Sequence, residues 1–114
     1  LESATVYAQA GDPNAAERLW RGVAQIEPRH VEVRRLLVQL YQAEGRSHDA
    51  LAVGRQLCEL EPAVAEHWFQ VALLHGELGD LDSALAAVEQ ALVQEPDNAR
   101  YRQAREVIRR GKGL

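Results

Sequence analysis

Ser47, His48 and Asp49 supply the residue types of a hydrolase triad. Three further histidines and one cysteine are the next candidates to relay a proton, hold a metal or attack a substrate. Spacing argues against each of them. Consecutive residues of a helix project about 100° apart, so Ser47, His48 and Asp49 cannot pass a proton to one another, and Ser47 is better read as a helix cap. His30, His48, His67 and His75 form no i, i+4 pair and no HExxH arrangement, so no two ring nitrogens are brought to one metal. The glycines do not cluster, and nothing cradles a phosphate. Cys58 shares an apolar stripe with Val53 and Leu57, which reads as a buried structural thiol rather than a nucleophile. No catalytic residue, metal ligand or cofactor site is expected.

The chemistry that remains is electrostatic. Residues 1–98 carry a net charge of −9, whereas residues 99–114 set Arg100, Arg102, Arg105, Arg109, Arg110 and Lys112 against Glu106 alone, a net charge of +5. The last helical segment is therefore a candidate strip for an anionic partner. Its bland reading is a solvated face, or one that pairs with acidic groups on a neighbouring helix, since basic residues are favourable near a helix C-terminus. Nucleic acid is a poor fit, because the −9 body repels phosphates and no aromatic residues alternate with the arginines to stack on bases. An acidic polysaccharide fits better, and its binding would weaken with salt and with loss of Arg102 and Arg105.

The elements that position these residues recur with a fixed period. Glu-Pro occurs at Glu27-Pro28, Glu61-Pro62 and Glu95-Pro96, and glycine at Gly11, Gly45, Gly79 and Gly113, every step being 34 residues. Between these marks run apolar residues at helical spacing, such as Leu36, Leu37, Leu40 and Tyr41, then Ala50, Val53, Leu57, Cys58 and Leu60. The pattern predicts helices near 2–10, 14–26, 31–44, 47–60, 64–78, 81–94 and 98–110, seven in all, with Asp12, Asp80 and Asn98 as N-caps and Pro13 at a first helical position. A unit of this size cannot bury its apolar face alone, so the fold class is all-α, a solenoid of antiparallel helix pairs. Residues 1–114 form one domain: a partial repeat over 1–30, repeats over 31–64 and 65–98, and the first helix of a further repeat over 99–114. Both ends fall within a repeat, which is expected of a segment of a longer array.

The third repeat reads Trp68, Val71-Ala72, His75, Gly79-Asp80, Ala84, Val88, Ala91 and Pro96, and the second reads Arg34, Leu37-Val38, Tyr41, Gly45, Ala50, Gly54, Leu57 and Pro62. The first contributes Tyr7, Gly11-Asp12, Ala16, Trp20 and Pro28. In these residues the chain resembles the tetratricopeptide repeat family. Arg34 and Gly54 depart from the pattern, which leads one to expect looser packing in the second repeat. Gly54→Ala would be stabilising by about 1 kcal/mol of helix propensity if the site has room for a methyl group.

The resemblance implies that the solenoid is a right-handed superhelix, and that the chain is a non-catalytic scaffold that binds a protein partner on the first helix of each pair. Carried over by alignment, the groove residues are Glu32, Arg35, Gln39, Gln42, Glu66, Phe69, Leu73 and Glu77, continued by Arg100, Gln103 and Val107. Phe69 and Leu73, one turn apart, form an apolar spot that is either a half-exposed anchor or ordinary core. The clamp by which some family members hold the carboxylate terminus of chaperone peptides is missing, because its positions carry Leu1, Thr5, Leu36, Glu66 and Gln70.

Twelve of the thirteen basic residues are arginine, a bias expected of a GC-rich bacterial genome. The Ala/Leu/Arg-rich repeats are similar to the periplasmic arrays of bacterial exopolysaccharide export proteins, a likeness that implies envelope assembly and favours the periplasm over the cytoplasm. An enzyme domain outside the segment, for which these repeats recruit substrate, is the other alternative. No run of about 18 apolar residues is present to enter a bilayer, and no basic start precedes an apolar stretch. Far-UV circular dichroism of the 114-residue chain is expected to show a helix-dominated spectrum, and a strand component above a few per cent would overturn the repeat assignment.

Overall fold

The computed structural model describes residues 12–114. Six helices follow one another: α1 Pro13–Ile26, α2 Val31–Ala43, α3 Ser47–Leu60, α4 Ala65–Glu77, α5 Leu81–Gln94 and α6 Ala99–Gly111. No strand occurs among the described residues, and the helix expected over 2–10 lies outside them. The body measures 46 × 25 × 20 Å, the elongated shape of a stack in which each pair touches only its neighbours.

The caps explain where the helices start and stop. Asp12, Asp80 and Asn98 accept hydrogen bonds from the amides of Ala15, Ser83 and Tyr101, each at 3.1 Å, satisfying donors that a helix N-terminus leaves orphaned. His30 caps α2 in the same way, its Nδ1 accepting from the Val33 amide. Ser47 does not act as a cap. It is the first residue of α3, behind Arg46, which makes no side-chain cap bond, and its hydroxyl instead donates to Glu77 at 3.0 Å.

Gly45, Gly79 and Gly113 take φ of +71°, +79° and +79°. This left-handed turn lets the next amide reach back to the carbonyl of Tyr41, His75 or Arg109. The second helix of each pair ends before Glu-Pro, because the residue preceding proline is pushed out of the helical region.

Two apolar clusters meet across α3. Trp20, Val33, Leu37, Tyr41, Leu57 and Leu74 lie in one, and Phe69, Val71, Val88, Ala91, Leu92 and Tyr101 in the other with Cys58. Burial pushes the Cys58 thiol up to about 11, so it stays protonated and inert. Ala16, Ala50, Ala84 and Ala91 are fully buried, where larger side chains would hold the helices apart.

The second repeat is not loose. Arg34 is 7% exposed and donates to Gln56 Oε1 and to the His30 carbonyl, both at 2.9 Å. At Gly54 a methyl group would stand 3.3 Å from Val71 Cγ2. Val71 must therefore yield before alanine can express its better propensity, and Gly54 marks a close contact between α3 and α4 rather than a weak point.

Glu17 ties the first pair to the second. Its carboxylate is 12% exposed and accepts from Arg46 at 2.6 Å, from the Tyr41 hydroxyl at 3.1 Å and from Arg21 at 3.3 Å. The Arg46 hydrogen bond holds the carboxyl below its ordinary value of 4.5, and the Tyr41 and Arg21 bonds add to this against the opposing cost of burial. A carboxyl depressed by folding contributes stability above its unfolded pKa and loses it as pH falls through the lower folded value. Glu17→Gln is therefore expected to melt below the wild type near neutral pH, with the gap closing as pH falls below about 4.5. A gap that stays constant through acid melts would refute this assignment.

Candidate protein-binding face

The first helices of the pairs, α2, α4 and α6, share one side of the stack. There α4 and α6 touch directly. Arg100 donates to Glu66 Oε1 at 3.3 Å, and the Tyr101 hydroxyl donates to Glu66 Oε2 at 3.0 Å. The Phe69 and Tyr101 ring centroids are 4.7 Å apart, and the Arg100 guanidinium lies 4.6 Å over the Phe69 ring. Burial, and then the bond to Glu66, pushes the Tyr101 hydroxyl up to about 12, so it remains a donor at any physiological pH.

On the opposite side the second helices stand apart. Between α1 and α3 lies a furrow of about 310 Å³ floored by Arg34, Leu37 and Tyr41, and between α3 and α5 one of about 380 Å³ floored by Trp68, Val71 and His75. Helices that converge on one side and splay on the other make a curved stack, with α2, α4 and α6 inside.

The groove residues inferred from sequence fall on this inner side with unequal availability. Glu32 and Arg35 are exposed and paired to each other at 2.9 Å. Gln39, Gln42, Leu73 and Glu77 are also exposed, and Glu66 is half-buried. The half-exposed Phe69 is corrected: at 4% exposure it is core, clamped between Tyr101 and Arg100. Leu73 is 46% exposed, and Val107, which stands 34 residues later at the same position of α6, is 59% exposed. The signal that could have separated Phe69 from Leu73 was Tyr101, one period on from the buried His67 and long enough to cover a neighbouring ring.

The arginines do not form a single strip. At about 100° per residue, Arg102, Arg105 and Arg109 share one flank of α6, Arg100 points almost opposite and Arg110 lies between. Arg100 is engaged with Glu66 and Phe69 on the inner side. Arg102, Arg109 and Arg110 are exposed, Arg105 is half-buried, and Lys112 pairs with Asp82 on α5.

A curved stack of helix pairs with a 34-residue register is a helical-repeat scaffold, a fold that is typically a non-catalytic interaction platform. A family model described as "Tetratricopeptide repeat" matches residues 7–57, a little under half of the chain, and solved structures share its fold. The chain is similar to MamA from Desulfovibrio magneticus RS-1, with TM-score 0.80 and 19% identity over 98% of this chain and 63% of that one. It is also similar to the Yersinia enterocolitica type III secretion chaperone SycD in complex with a peptide of the translocator YopD, with TM-score 0.81 and 16% identity over 97% and 90%. The first TPR of Spaghetti bound to an HSP90 peptide gives TM-score 0.81 and 15% identity over 99% and 90%. The chain spans less than two thirds of the length of the MamA structures. No curated protein matches it. Among the described residues no helix is long and apolar enough to cross a membrane.

Thermal melts separate core from surface on this face. Phe69→Ala is expected to cost about 3–5 kcal/mol and Leu57→Ala about 2–5 kcal/mol, whereas Leu73→Ala should stay within about 1 kcal/mol of the wild type. A Phe69→Ala variant that melts like Leu73→Ala would restore Phe69 as a surface anchor.

Proposed function

We propose that this chain is a non-catalytic scaffold that seats a segment of a partner protein along the inner face of α2, α4 and α6. The observation that carries this reading is the pair Leu73 and Val107, two large apolar side chains exposed at the same position of successive inner helices. Gln39 takes that position on α2, so the face is apolar toward α6 and polar toward α2. A partner segment with apolar side chains at one end and hydrogen-bonding groups at the other matches it. The solved structures of SycD and Spaghetti, each holding a peptide, support peptide capture as the mode.

The chaperone-terminus clamp does not carry over. Leu36, Glu66 and Gln70 occupy three of its positions, and Glu66 is already committed to Arg100 and Tyr101; Leu1 and Thr5 lie outside the described residues. The arginine-rich composition supports a bacterial envelope setting, with the array recruiting partners for exopolysaccharide export in the periplasm. An acidic polysaccharide held by Arg102, Arg105, Arg109 and Arg110 is the second reading, favoured by the exposure of three of the four.

The test selects peptides from a random library on the wild-type chain, then measures their binding to Leu73→Glu and Val107→Glu. Both variants should fold, and binding should fall about tenfold or more, as when a charge enters an apolar contact. Ile26→Glu, an exposed apolar site on α1, should bind as the wild type does. Peptides that bind all variants equally would place recognition elsewhere.

A further inference from the structure

Each outer furrow is built from three consecutive helices, an inner helix forming the floor and two outer helices the walls. Arg21, Gln25, Arg34, Asp49 and Gln56 of the first are matched 34 positions later by Arg55, Glu59, Trp68, Ser83 and Gln90 in the second. The two furrows are alike in build and differ in charge. The first floor carries a guanidinium where the second carries an indole.

Arginine is always charged, and Arg34 is nearly enclosed, at 7% exposure. Its Nε donates to Gln56 and its Nη1 to the His30 carbonyl, both neutral acceptors, and Nη2 has no acceptor among the described residues. No described carboxylate forms an ion pair with it. Asp49, the carboxylate that lines the furrow, is paired instead with Arg46 at 2.9 Å. A buried charge is costly unless it is both hydrogen-bonded and paired, and Arg34 has the hydrogen bonds without the pair.

Packing does not require that charge. Trp68 stands at the same position of α4 and donates its neutral indole N–H to the Pro62 carbonyl, in the loop before its helix, at 2.8 Å. A neutral donor therefore suffices to tie an inner helix to the loop that precedes it.

The furrow suits a small anion. With Arg21 and Arg34 against Asp49, its lining carries a net charge of +1. Gln25 on α1 and Gln56 on α3 place amide groups on opposite walls, and Leu37 and Val53 provide an apolar bed. Its volume of about 310 Å³ lies at the small end of the range for ligand pockets.

We infer that the furrow between α1 and α3 binds a small monocarboxylic acid bearing hydroxyl or amide groups. The carboxylate accepts from Nη2 of Arg34 with Arg21 alongside, a charge-assisted contact, and the neutral polar groups meet Gln25 and Gln56. Asp49 on the same wall disfavours a dianion such as phosphate. The furrow is on the opposite side of the stack from Leu73 and Val107, so this site and the partner-binding face can fail separately.

Four acids, lactate, gluconate, pyroglutamate and N-acetylalanine, are titrated into the 114-residue chain beside their uncharged amides. NMR follows the Arg34 Nε–H and the glutamine side-chain amides. At least one acid should saturate with a Kd of about 1 mM or tighter. It should shift the signals of Arg34, Gln25 and Gln56 and leave Gln90, in the second furrow, in place. Its amide should bind about tenfold more weakly or worse. Arg34→Trp, which installs the residue of the next repeat, should abolish binding. Arg21→Gln, at a side chain 62% exposed, should weaken binding severalfold with little change in melting, and Leu73→Glu should leave binding unchanged.

The inference is overturned if none of the four acids saturates by about 10 mM, if an acid and its amide bind equally, or if binding survives both arginine changes. Inorganic phosphate binding as tightly as the best acid, with the same arginine dependence, would overturn it too, by making the site one for anions in general. Should Arg34→Trp fail to fold, Arg21→Gln and the NMR shifts decide the question.

Discussion

A pair of helices in this chain has more apolar surface than its own two members can cover. Leu74 belongs to the third repeat, yet it is fully buried in the cluster with Trp20, Tyr41 and Leu57, which come from the first two. Cys58 of the second repeat is likewise buried among Phe69, Val88 and Tyr101. Stability is thus stored at the junctions between repeats, the nearest-neighbour arrangement that lets such stacks grow in one dimension. The 34-residue register follows from this. If it slipped at one junction, Ala50 and Ala84, fully buried where helices cross, would be replaced by residues with no space to occupy.

Each of two junctions between pairs is tied by one shared carboxylate. On the inner side Glu66 of α4 accepts from Arg100 and Tyr101 of α6, and the Arg100 guanidinium covers the Phe69 ring. The junction between the first and second pairs uses the same three groups from other positions: Glu17 accepts from Arg46 and Tyr41, and the Arg46 guanidinium sits 4.4 Å over the Tyr41 ring. In both, a tyrosine hydroxyl and a guanidinium share one carboxylate, satisfying polar atoms that the junction would otherwise bury unpaired.

The furrow floor is where the repeats differ most. Arg34, Trp68 and Arg102 occupy one position, and the spread in residue type is tolerated because the furrow leaves one side open. A long side chain can lay its apolar part on the floor and carry its polar end to the rim. Trp68 does this by donating its indole N–H to the Pro62 carbonyl at 2.8 Å. The apolar face required for stacking is fixed by packing, while the floor is free to carry recognition chemistry.

The sequence by itself determined the six described helices, their order and the caps Asp12, Asp80 and Asn98. Those features are local: a proline, a glycine or a capping carboxylate acts within a few residues, and the period repeats the signal. It also determined that Cys58 is buried and that the residues of greatest charge are gathered on the last helix. Tertiary structure alone decided which residues of a face are available. Phe69 and Leu73 are both apolar and one turn apart, and only the arrival of Tyr101 and Arg100 from a helix some thirty residues on buries one and leaves the other in solvent. Ser47 had the chemistry of a cap, but a Glu77 carboxylate from another helix took its hydroxyl. The arginines read as one strip because a linear count of charge carries no angle. Folding turned Arg100 inward to Glu66 and Arg102, Arg105 and Arg109 to the opposite flank, since side chains on a helix separate by rotation as well as by distance.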